Sequence, residues 1–324
     1  MLILSWEDLT QTMKTKGFTI IELLIVIVVI GVLVAITAVT YTGVRQRAVA
    51  VSIESDLSVI DKQVRLYAAK NGTLPTSIFC PAVQPTEICV KPSGDNQIAS
   101  YRAISNDQYI AVVKNGKLVY RSGTGAEGAT TAELTAVEDG LQGYYDVNNP
   151  NSYSNGSSSW NDLSGNGRNA TLTSITSTSG DGLKELVFDR AVSLLKIPTM
   201  PTQSIFMLVN IDSVQVGGGY YYLLDSRPSN SGGYIYSSAG GNWENYRVNT
   251  LPIAKAQANI PKDQWVAFYA ETNNLYNSDI NIFSRYSLDE RMAGKIRAIL
   301  VYNRKLSAFE VAQNQDYFNF RNTN

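Results

Sequence analysis

The chain has 324 residues, 44% of them hydrophobic, enough for one to three domains with buried cores. Its 27 basic and 28 acidic side chains leave it near neutral, so no broad basic surface asks for nucleic acid. Histidine is absent, which removes Ser-His-Asp and Cys-His catalysis and every imidazole metal ligand.

Met1 to Gly17 form a leader segment with Glu7 and Asp8 in it; a start at Met13 would give a shorter, more basic leader, Met13-Lys14-Thr15-Lys16-Gly17. From Phe18 to Ala38 the only ionisable side chain is Glu22. About twenty such residues in a helix reach roughly 30 Å, the thickness of a bilayer's hydrocarbon core. A carboxylate near the head of that run is costly to bury in lipid, so it needs a partner or a shallow position. An ordinary signal anchor with one interfacial Glu is the plain alternative.

Gly17-Phe18-Thr19-Ile20-Ile21-Glu22-Leu23-Leu24 resembles the processing site of type IV prepilins and of the pseudopilins of secretion and DNA-uptake machines. The resemblance implies cleavage between Gly17 and Phe18 by a membrane prepilin peptidase and methylation of the new Phe18 amine. It also implies that Glu22 pairs with the Phe18 ammonium of a neighbouring subunit in a filament core.

Beyond the apolar run, Val49, Ile53, Leu57, Ile60, Val64 and Tyr67 recur at spacings of four and three, one face of a continuing helix. Asn71-Gly72 and Pro75 end it, giving a transmembrane and assembly helix over residues 18–72. Cys80 and Cys89 lie close together in a Pro-rich loop, which suits a disulfide outside the cytoplasm better than a metal site. Tyr101–Ser105, Tyr109–Val113 and a hairpin turning at Asn115-Gly116 predict a small three-stranded head over 73–128. The Gly-, Thr- and Ala-rich stretch that follows reads as a linker, 129–139.

Residues 140–324 change character. Nine short apolar runs, Tyr144–Val147, Glu185–Phe188, Ser193–Ile197, Ile205–Ile211, Tyr220–Leu224, Tyr234–Ser237, Trp265–Glu271, Asp279–Phe283 and Ile296–Tyr302, read as strands of an antiparallel sandwich. The whole is thus α+β: a long helix with a small sheet, then an all-β domain. Trp160-Asn161-Asp162-Leu163-Ser164-Gly165-Asn166-Gly167 and the closing Gly294–Val311 stretch resemble the laminin-G-like, concanavalin A-like jelly-roll family.

Candidate ligand residues are Trp243, Tyr234, Tyr236, Tyr246, Asn242 and Glu244, which mix aromatic faces with polar groups as sugar sites do; some of the tyrosines alternate along strands and would pack across them. Asp162, Asn166 and Asn169 offer oxygens in one turn. They are expected to bond their own backbone, with Ca²⁺ as the alternative and no other cofactor. Glu185, Asp189, Asp225, Glu244 and Glu271 are scattered rather than paired, so a carboxylate glycosidase is the lesser expectation and no enzyme the main one.

The expected function is that of a minor or tip filament subunit. It passes from membrane lipid into the filament through inner-membrane pilus assembly proteins and other pilin subunits, and presents the jelly roll to a surface glycan or protein for adhesion. The alternative is a pseudopilin whose extra domain is a scaffold. The expected location is the cytoplasmic membrane, in a single pass, before assembly and an extracellular filament at the cell surface afterwards.

Overall fold

The computed structural model describes residues 19–116, 118–125, 128–213, 221–227, 233–236, 241–255 and 259–320; the side chains of 35–43, 118, 120, 124–125, 128–131 and 236 lie outside the description. The chain divides into two compact units, Met1–Val51 and Ser52–Asn324. One helix, α1 (Ile20–Asn71), contributes to both.

In the first unit the described apolar side chains of α1, from Ile20 to Val34, are all exposed, Ile27 at 59% for example. Among the described residues no helix is long and apolar enough to cross a membrane. The expected span, Phe18 to Ala38, lies partly outside them.

In the second unit α1 ends as its sequence directs. The Gly72 amide donates to Ala68 O and the Asn71 side-chain amide to Tyr67 O, with Gly72 at φ +75°, a conformation glycine adopts freely. Ile53, Leu57, Ile60 and Val64 are fully buried along one face, as their spacing predicts. Asp56 ties down the segment after the helix: one of its oxygens accepts from Ser93 N, Ser93 Oγ and Asn96 Nδ2. Cys80 and Cys89 are disulfide-bonded, as expected.

The head sheet runs β1 (Gln97–Ala103), β2 (Tyr109–Asn115), β3 (Leu118–Gly125) and β4 (Gly128–Glu133), antiparallel in that order. It has one strand more than the sequence suggested, because the stretch read as linker supplies β4. The hairpin is present, but Asn115 is a paired residue, opposite Leu118, rather than part of the turn. β2 is buried on both faces. Tyr109 Oη donates to Asp61 of α1, while Ile110 and Val112 pack with Phe309 and Ala312 on the other side.

Two layers form the sandwich, and two long strands belong to both. β10 (Leu194–Ile211) and β15 (Val266–Ile282) shift register at Ile197/Met200, where Pro198 falls, and again at Thr202/Ser204, and bend from one layer into the other. The sequence suggested two strands for each.

Layer 1 joins β13 (Trp243–Val248), the first half of β15, the second half of β10 and β16 (Gly294–Tyr302), then β5 (Leu141–Asp146) and β9 (Leu183–Phe188) on β16, with β8 (Thr176–Gly180) at the edge. The two-residue β14 (Leu251–Pro252) flanks β13. Layer 2 joins β12 (Tyr234–Tyr236), β11 (Tyr222–Asp225), the far ends of β15 and β10, β7 (Ala170–Thr173) and β6 (Ser159–Trp160). Ile205, Met207, Val209, Ile280, Ile282 and Leu195 fill the core between the layers.

A final helix, α2 (Ala308–Phe320), joins head and sandwich. Ser307 and Glu310 cap its start reciprocally: Ser307 N and Oγ donate to Glu310 Oε2, and Glu310 N donates to Ser307 Oγ. One side of α2 puts Phe309 and Ala312 on the head sheet. The other puts Val311 and Phe318 against Phe206, Leu300 and Tyr302 on the outside of layer 1. Buried Asn314 accepts from Val137 N and donates to Tyr302 Oη, and Arg102 of β1 forms an ion pair with Asp316. Head and sandwich thus share α2.

Candidate functional site

Gly17 and Phe18, the expected processing pair, lie outside the described residues. The next residues are placed. Thr19 N and Oγ1 donate to Glu22 Oε2 at 2.8 and 2.9 Å, and Glu22 N donates to Thr19 Oγ1 at 3.2 Å. Glu22 thus closes a capping box that satisfies the first amides of α1 and sets its carboxylate at the positive end of the helix.

On the sandwich the structure corrects the aromatic expectation. Trp243 is 0% exposed and Tyr246 1%, and both belong to the core between the layers, where Tyr246 meets Phe268 at 5.6 Å. The register shift between Glu244 and Arg247, with Asn245 at positive φ, lets both of these residues face inward although they stand three apart. Glu244 lies on the opposite side, bonded by Asn273, and Asn242 is exposed at the start of the strand. Tyr236 pairs with Tyr222 through the backbone, and its side chain is outside the description. Tyr234 alone joins a polar surface cluster.

That cluster lies on the outer face of layer 2. The registers align one cross-strand row: Thr171, Lys196, Asn281, Asp225 and Tyr234. Asp225, fully buried on a face that alternation would give to solvent, is covered by Arg227. Arg227 Nε donates to Asp225 Oδ1 at 2.8 Å and its Nη2 to Oδ2 at 2.5 Å, while Tyr286 N donates to Oδ2 at 3.0 Å. Three rings cage the guanidinium: Tyr234 at 4.2 Å, Tyr286 at 4.9 Å and Tyr222 at 5.4 Å.

Beside the cage a cleft of about 410 Å³ is lined by Lys196, Thr199, Arg227, Asn277, Asp279, Asn281 and Tyr286, among others. Lys196 Nζ bonds Asp279 Oδ2 at 2.6 Å and Thr199 Oγ1 donates to Asp279 Oδ1 at 2.6 Å. Partial burial works against the Asp279 charge, but these bonds outweigh it and hold the carboxyl below its ordinary value. Sequence reasoning missed this group because it gathers from five strands and a loop. The one signal available was polar Lys196 and Asn281 set between core residues in alternating runs.

A larger cleft, about 830 Å³, opens beside the loop between β9 and β10. Its polar groups hold the loop itself: Asp189 Oδ1 accepts from Ala191 N, and Ser193 Oγ donates to Ser174 O.

The Asp162 turn is internally occupied. Asp162 Oδ1 accepts from Tyr144 N and Ser164 N, and its Oδ2 from Ser164 Oγ and Arg168 N. Asn166 offers its amide hydrogens to Leu141 O and Gln142 O, and Asn169 Oδ1 accepts from Asp162 N. Among the described residues no three Asp, Glu, Cys or His side chains gather as a metal site. The motif organises a turn, with Trp160 anchored in the core against Tyr145 at 5.7 Å. The scattered carboxylates each have their own partners: Glu185 has Lys295 and Arg297, and Glu271 has Tyr269, Asn245 and Lys305.

Comparison with known proteins bears on the N-terminus first. Residues 12–38 match the prokaryotic N-terminal methylation motif. Type II secretion system core protein G of Dickeya chrysanthemi is 30% identical over 64 residues, 20% of this chain and 42% of that protein. Its namesake in Klebsiella pneumoniae is 30% identical over 79 residues, 22% of this chain and 56% of that protein. The chain thus spans about half the length of these relatives. Among solved structures, Trypanosoma rangeli sialidase in complex with sialic acid aligns over 74% of this chain and 46% of its own, at 13% identity and TM-score 0.35. The receptor binding domain of botulinum neurotoxin C/D mosaic serotype aligns over 56% and 52%, at 12% identity and TM-score 0.37. The chain carries a methylation motif of the pilin and pseudopilin kind, joined to a small antiparallel sheet and a large β-sandwich.

Proposed function

We propose that this chain is a low-copy subunit of a type IV pilus-like filament and that its sandwich is an adhesion domain. In this reading a prepilin peptidase cuts between Gly17 and Phe18, the Phe18 amine is methylated, and the helix waits in membrane lipid as a single-pass anchor. Assembly proteins then draw it into the filament, where Glu22 meets the Phe18 ammonium of a neighbouring subunit. The observation that carries the reading is the methylation motif placed at a capped helix start whose apolar side chains, Ile20 to Val34, are exposed in the lone chain. Exposed apolar surface on that scale calls for lipid or other helices to cover it.

The sandwich is held to the head by α2 rather than strung on a linker. A rigid appendage of that size crowds a helical lattice of identical subunits, which favours a tip or sparse position. Immunogold labelling of sheared filaments is expected to mark ends or rare sites; continuous labelling in proportion to the main subunit would contradict that position. No catalysis and no bound cofactor, Ca²⁺ included, enter this reading: the carboxylates of the sandwich have structural partners.

A second reading rests on the two relatives matched at the N-terminus, both type II secretion system core proteins. In it the chain is a secretion pseudopilin and the sandwich a scaffold. Copurification with secretion-machine subunits, and absence from surface filaments, would favour it.

A further inference from the structure

Arg227 and Asp225 form a buried ion pair on a surface that the strand pattern assigns to solvent. Such a pair costs desolvation and contributes little net stability by itself. What it does here is hold a rigid floor. The guanidinium is fixed by two nitrogens on Asp225 and by three tyrosine rings, so Tyr286 and the row Lys196–Asn281 stand at set positions around the cleft.

The charges of the cleft cancel. Lys196 is bonded to Asp279 and Arg227 to Asp225, so no cation is left over to attract an anion. What remains toward solvent is a set of donors and acceptors: Asn277 and Thr199 at exposed positions and the paired Lys196 and Asp279, whose side chains are 53% and 36% exposed, with Asn281 buried among them and Leu288 the one apolar side chain of the lining. Tyr286 adds an aromatic wall. A ligand bearing several hydroxyls, each both donor and acceptor, matches such a lining; an apolar or multiply charged one does not.

The position agrees. Within Ser52–Asn324 the outer face of layer 1 is covered by α2, on which the head sheet packs in turn, whereas the cleft lies on the outer face of layer 2, at the opposite side of the sandwich. We infer that the Lys196–Arg227–Tyr286 cleft is a binding site for a neutral, hydroxyl-rich sugar. This rests on the reading above that the sandwich is the presented domain, and it assigns that domain a ligand class and a place.

The test is retention of the full chain, in detergent micelles, on an array of neutral hexose and N-acetylhexosamine oligosaccharides with sialylated and sulfated counterparts. Lys196→Ala and Asn277→Ala change exposed side chains, and Glu244→Ala on β13 serves as the control away from the cleft. Support is retention on neutral sugars that falls roughly tenfold in each cleft variant, the loss of about one hydrogen bond, with the control and the thermal midpoints unchanged. No retention on neutral sugars, retention confined to the sialylated or sulfated members, or equal retention by the cleft variants would overturn it. Filament incorporation of the same proteins separates the two readings. Normal incorporation without sugar retention overturns the cleft alone, and sugar retention by a chain that never enters filaments overturns the filament reading alone.

Discussion

At the scale of residues, two capping boxes open the two described helices, Thr19 with Glu22 and Ser307 with Glu310. Both follow a Ser/Thr-x-x-Glu pattern visible in the sequence, yet Glu22 reads first as a filament contact, because a lone acid in an apolar run draws attention to charge. The cap and the charge separate by substitution. Glu22→Gln keeps an oxygen for Thr19 but no charge, whereas Glu22→Ala loses both. Filament incorporation should fail in both variants; normal incorporation of Glu22→Gln would leave Glu22 a cap and nothing more.

Glu310 gives a pH prediction. Burial raises its pKa, but Arg304 at 2.5 Å and the Ser307 bonds outweigh that and hold the carboxyl below its ordinary 4.5. A depressed folded value means that its stabilisation is fully present above about pH 4.5 and is lost as pH falls through the lower folded value. Urea unfolding should therefore show Glu310→Gln less stable than the parent near neutrality by about 0.5–2 kcal/mol, the worth of a cap, with the gap narrowing as pH falls below about 4.5. A gap that stays constant with pH would contradict it.

At the scale of elements, α2 is the piece whose role the sequence least discloses. Its buried residues include Gln313, Asn314 and Asp316 beside Phe309, Val311 and Phe318, so no single apolar stripe marks a face. That mixture makes sense only once both sides are covered, the head sheet meeting Phe309 and layer 1 meeting Phe318. The long face of α1, the disulfide and most sandwich strands were legible because period, spacing and β-branched runs are local signals. β4 was not, since its Gly, Ala and Thr residues resemble a linker and only pairing with β3 makes them a strand. Phe309→Ala should cost about 3–5 kcal/mol. Calorimetry of the full chain should show head and sandwich losing stability together, in one transition; loss from the head alone would contradict the shared role of α2.

At the scale of the whole molecule, the head and the two layers of the sandwich build one unit from Ser52 onward, and the N-terminal half of α1 belongs to the other. The candidate ligand site was hidden at this scale. Trp243 and Tyr246 looked like sugar-stacking residues by type but fill the core, while Asp225, read from the sequence only as one of several scattered carboxylates, and Arg227 create the polar face through pairings across β10, β11, β12 and β15. The partition also makes the N-terminus the decisive region, since the proposed cleavage site at Gly17 and Phe18 and the acid Glu22 lie within a few residues of one another. The most direct measurement is mass spectrometry of the N-terminal peptide from protein purified out of its native membrane or filament fraction. A chain beginning at Phe18 with a methylated amine is the expected result, and a chain that retains the segment ahead of Phe18 would contradict assembly as a filament subunit.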